Sequence, residues 1–67
     1  MVISFSSAQV ARTAAAILEQ YGFSTEQIGA DVATDCPALL AAPAIERGIG
    51  LDLVERIDLA RDHVGEP

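Results

Sequence analysis

No lysine and no tryptophan occur in this chain, and cysteine and histidine occur once each, as Cys36 and His63. Aromatic residues are limited to Phe5, Tyr21 and Phe23. Each shortage excludes something. One cysteine cannot close an internal disulfide, and its presence as a lone thiol points to a reducing, cytoplasmic compartment. One histidine without companion ligands at metal-binding spacing gives no metal site. There is no glycine-rich phosphate loop, no legible Ser/His/Asp set and no carboxylate pair in an apolar stretch, so neither an enzyme nor a cofactor is expected. No run approaches the roughly 18 apolar residues of a membrane span. The opening Met1-Val2-Ile3-Ser4 lacks the basic segment and long apolar run of a signal peptide.

Positive charge is scarce as well. Ten acids against four bases give a formal net charge of −6, and all four bases are arginine: Arg12, Arg47, Arg56 and Arg61. Contact with a phosphate backbone needs several Lys or Arg to displace counterions, so direct nucleic-acid binding is not expected. An acidic surface steers instead toward another protein with a basic surface. The chain has 67 residues and is 51% apolar, much of it alanine. A domain of this size buries only about 60% of the surface that its unfolded form exposes, so a homodimer is a natural way to supplement a thin core.

The strongest local signal is Tyr21-Gly22-Phe23-Ser24-Thr25-Glu26-Gln27-Ile28. Gly22 suits the left-handed position just past a helix C-terminus. Ser24 with Gln27 spells a capping box, and Phe23 with Ile28 a hydrophobic staple. Phe5-Ser6-Ser7-Ala8-Gln9-Val10 repeats the same F-S-[ST]-x-Q-[VI] spelling, so a helix start is written twice. The first helix is expected over residues 7–21, with Val10, Ala14, Ile17, Leu18 and Tyr21 on its apolar stripe. Its outer face is Gln9, Arg12, Thr13, Ala16, Glu19 and Gln20. The second is expected from 25 to 33 or 34 on the buried row Ile28, Val32 and Cys36, with Gly29 in close contact with helix one. A strand over the same stretch, by alternation of Ile28, Ala30 and Val32, is set aside because Gly29, Ala30 and Asp31 are poor strand formers.

Asp35 reads as the cap of a third helix with Pro37 in its first turn. Pro43 should divide that helix into pieces 37–42 and 43–47, and Gly48 should end it. A fourth helix is expected over residues 51–64, on the stripe Leu53, Ile57, Ala60 and Val64. Asp52–Arg56 and Asp58–Arg61 are its intrahelical ion pairs, and Arg61 and His63 suit its last turn. Val2, Ile3 and Phe5 form either a short strand or an apolar lead-in. The expected architecture over residues 1–67 is a single all-α domain, a small bundle of four short helices with the third broken at Pro43.

Gly22-Phe23-Ser24-x-Glu26-x-Ile28 followed by Pro37-x-Leu39-Leu40 resembles two helical types, the mitochondrial transcription terminator repeat and the ubiquitin-associated domain. Each resemblance covers under a third of the chain and rests mainly on capping residues, so no functional residue is carried over. Cys36-Pro37 is similar to the Cys-Pro of sulfur-carrier proteins, which stands at a helix N-terminus after a strand. Leu39 here replaces that family's second proline.

On the expected fourth helix, Leu51 and Leu59 fall off the apolar stripe and beside Glu55, Asp58 and Asp62. That apolar and acidic face is the candidate partner-binding surface. The leading expectation is therefore a small acidic, non-enzymatic protein-interaction module of the inhibitor or antitoxin type. One alternative is a helix-turn-helix DNA-binding regulator over residues 25–47, for which only Arg47 stands near the second helix. The other is a thiol or sulfur carrier dependent on Cys36, which a helix N-terminus would help to ionise and Asp35 would oppose.

Overall fold

The computed structural model describes residues 1–59. It contains β1 (Val2–Phe5), α1 (Ala8–Gln20), β2 (Thr25–Ile28), β3 (Asp31–Thr34), α2 (Ala38–Gly48), a 3₁₀ turn (Leu51–Leu53) and β4 (Val54–Asp58). The four strands form one sheet in the order β2-β3-β1-β4, and every neighbouring pair is antiparallel. This is an α/β fold, which corrects the expected all-α bundle of four helices.

The first helix is where the sequence places it. Ser7 is the N-cap and its Oγ accepts from the Val10 N–H at 3.2 Å. Gly22 takes φ +92° just past the helix end. The Phe23 N–H donates to Leu18 O at 3.2 Å and the Gly22 N–H to Glu19 O at 3.0 Å, the paired bonds of a Schellman motif. The expected outer face is exposed throughout. The buried face is Ala11, Ala14, Ala15 and Leu18, with Val10 and Ile17 partly buried and Tyr21 exposed. Alanine at these positions lets α1 lie close on β1, β2 and β3.

The second helix does not exist. Residues 25–34 form a hairpin in which Ile28 pairs with Asp31 across the two-residue loop Gly29-Ala30. Gly29 has φ +61° and Ala30 does not take a positive φ, the type II′ pattern that a glycine in the first loop position permits. The expected capping box is taken apart side chain by side chain. The Ser24 N–H donates to Asp35 Oδ1 at 3.0 Å, and Ser24 O accepts from Thr34 Oγ1 at 2.8 Å. Gln27 Nε2 reaches α1 instead, donating to Ala8 O at 2.8 Å and to Gly29 O at 3.0 Å. Ile28, expected in the core, is half exposed.

The cause lies in β1. Its backbone is flanked on both sides, by β3 in the register Val2↔Ala33, Ile3↔Val32, Ser4↔Asp31, and by β4 in the register Val2↔Asp58, Ile3↔Ile57, Ser4↔Arg56. A helix over 25–34 would be too short to stand on its own propensity and would leave β1 unpaired on that side. A buried backbone group without a partner costs about 1–3 kcal/mol, which outweighs a capping box worth about 1 kcal/mol. The same demand converts the expected fourth helix. Its start is the 3₁₀ turn, and β4 then places the β-branched Val54 and Ile57 opposite Phe5 and Ile3. Asp52 and Arg56 therefore sit on different elements rather than one helical turn apart. Ala60, Arg61, His63 and Val64 lie outside the described residues.

Pro43 does not break the third helix, and α2 runs unbroken through it. Its missing N–H removes only the donor for the Leu39 carbonyl, on a first turn where Leu39 is 89% exposed and water can take over. The N-cap is Pro37 without any side-chain cap, because Asp35 is committed to Ser24. Gly48 does end the helix, and a Cβ there would collide with Ile17 Cδ1. The core brings together Ile3 and Phe5 of β1, Val32 of β3, the buried face of α1, Cys36, and Ala41, Ala44 and Ile45 of α2.

Gly29 separates the two readings of residues 25–34 in solution. In a helix interior, Gly29→Ala would stabilise the protein by about 1 kcal/mol. At φ +61° it should instead destabilise by about 1 kcal/mol, because a Cβ disfavours the left-handed region. Urea denaturation of the two proteins measures the sign.

Candidate functional site

Alternation along the strands sorts the sheet into two faces. Ile3, Phe5, Val32, Val54 and Ile57 point to one, and Val2, Ser4, Asp31, Ala33, Arg56 and Asp58 to the other. Asp31, Ser4 and Arg56 stand opposite one another on three adjacent strands and form a cross-strand row on that second face. The β1–β4 register slips between Ser4 and Phe5, so Glu55 has no opposite residue on β1. Such a bulge bends the strand and re-aims a side chain. Together these residues open a cavity of about 410 Å³ lined by Ser4, Phe5, Ala30, Asp31, Glu55 and Arg56.

The cavity gathers a hydroxyl, two carboxylates and a guanidinium, but not a nucleophile–base pair. No hydrogen bond links the Ser4 hydroxyl to Asp31 or Glu55, and Arg56 closes no ion pair with either, among the described residues. Activation of a serine requires such a bond to a base. No group of three His, Cys, Asp or Glu able to hold a metal occurs among the described residues. A second depression, of about 300 Å³, lies at the first turn of α1 between Ala8, Gln9, Arg12 and Gln27.

The residues expected to bind a partner are distributed by the strand rather than by a helical face. Leu51 is in the 3₁₀ turn before β4 and is 39% exposed. Glu55 is exposed at the bulge, Asp58 is the last residue of β4 opposite Val2, and Leu59 follows at 68% exposure. Leu51 and Leu59 thus lie at opposite ends of β4, with Glu55 between. Asp62 lies outside the described residues. Arg56, read as half of a helical ion pair, joins Glu55 at the cavity, and Asp31 and Ser4 join it from β3 and β1. The signals that could have located them are the alternation in Val2-Ile3-Ser4-Phe5 and the Gly29-Ala30 loop between two short runs.

Cys36 stands between β3 and α2, after a strand and before a helix, and it is buried. Its N–H donates to Thr34 Oγ1 at 3.2 Å, and its Sγ donates to Pro37 O at 3.5 Å. Burial pushes the thiol pKa up, and the neighbouring Asp35 carboxylate adds to the shift. Both effects oppose the thiolate that a carrier or redox role needs. The helix-turn-helix arrangement over residues 25–47 is not formed, since its first half is the β2–β3 hairpin. No helix among the described residues is long and apolar enough to cross a membrane. Neither a protein-family model, nor a curated protein, nor a solved structure matches the chain.

The raised thiol value has a consequence for stability. The fold holds the Cys36 proton more tightly than the unfolded chain does, so the contribution of this group is complete below the ordinary value of 9.0 and is lost as pH rises through the higher folded value. The stability difference between the wild type and Cys36→Ala should therefore be constant up to about pH 8 and shrink above pH 9. Urea titrations at a series of pH values measure it. A difference that stays constant across that range would contradict the assignment.

Proposed function

We propose that this chain is a small, acidic, non-enzymatic protein-interaction module of the inhibitor or antitoxin type, acting in the cytoplasm, and that it binds a basic surface of another protein along β4. The observation that carries this reading is the makeup of that strand. β4 is an outer strand of the described sheet, paired with β1 on one side only. It presents Glu55 at a bulge between two exposed leucines, Leu51 and Leu59. An outer strand of this kind suits the addition of an extended segment, in which main-chain hydrogen bonds supply affinity and flanking side chains supply specificity. A net charge of −6 favours partners that carry Lys or Arg beside that segment.

The cavity beside Ser4 supports the same reading. Asp31 and Glu55 line it and leave room there for a partner's cationic side chain next to the strand. Cytoplasmic residence is supported by the single unpaired, buried thiol.

Capture of the partner from native cells, followed by titration of the purified pair, tests the proposal. Glu55→Arg and Leu59→Ser should each weaken the complex by about tenfold while shifting stability by no more than about 0.5 kcal/mol. Affinity that is unaffected by both substitutions would remove β4 as the binding element. A dependence of affinity on ionic strength should accompany it, with tighter binding at low salt.

A further inference from the structure

We draw no further inference here: the strongest candidate, the outward face of α2 that exposes Leu39 and Leu40, is an apolar helix face, and nothing in the structure shows what covers it.

Discussion

The need of β1 for partners on both of its edges organises this molecule. Ile3 and Phe5 are almost completely buried, and they draw their strand into the interior. A strand drawn inside must satisfy its main-chain donors and acceptors there. The chain meets that need from two distant segments. Phe5 N–H donates to Ala30 O at 2.8 Å and Thr34 N–H to Met1 O at 2.9 Å on the β3 side, while Ser6 N–H donates to Leu53 O at 3.0 Å on the β4 side. Each of these bonds fixes a stretch whose own local preferences point elsewhere.

Alanine sets the thickness of the structure. Ala11, Ala14 and Ala15 let α1 approach the sheet closely, and Ala41 and Ala44 belong to the buried face of α2, which packs against α1. Close approach gains dispersion contacts but buries little area per residue. The larger apolar side chains are consequently divided. Leu18, Ile45, Val32 and Ile3 are enclosed, whereas Leu39, Leu40, Leu51 and Leu59 stay in contact with water. A protein of this size has too few elements to cover both sets. The exposed set falls on α2 and around β4.

Polar groups are used mainly to lock the junctions between elements. Ser24, Thr34, Asp35 and Cys36 form one chain of hydrogen bonds where the hairpin opens toward α2. Thr25 Oγ1 donates to Glu19 Oε2 at 2.6 Å, and Gln27 ties β2 to the first turn of α1. These contacts hold the β2–β3 hairpin against α1 and leave Cys36 enclosed as a protonated thiol. Outside this network, Asp31 and Glu55 line the Ser4 cavity.

The sequence alone determined α1, from its start near Ser7 to the left-handed Gly22, together with its exposed face, the end of α2 at Gly48 and the acidic charge. All of these depend on contacts within about one helical turn or on composition, and such information is complete in a short window. Only the tertiary structure decided residues 25–34 and 51–58. Phe23-Ser24-Thr25-Glu26-Gln27-Ile28 has the same spelling as the true helix start at Phe5, yet its serine and glutamine find better partners in Asp35 and Ala8. The unbroken course of α2 through Pro43 was likewise settled by an exposed first turn that a local rule cannot see. The site beside Ser4 was hidden for the same reason, since Asp31, Ser4 and Arg56 meet only through strand register. A local signal is worth about 1 kcal/mol, and a buried strand left without a neighbour costs more than that along its length. Long-range pairing therefore overrode the local preference wherever the two disagreed.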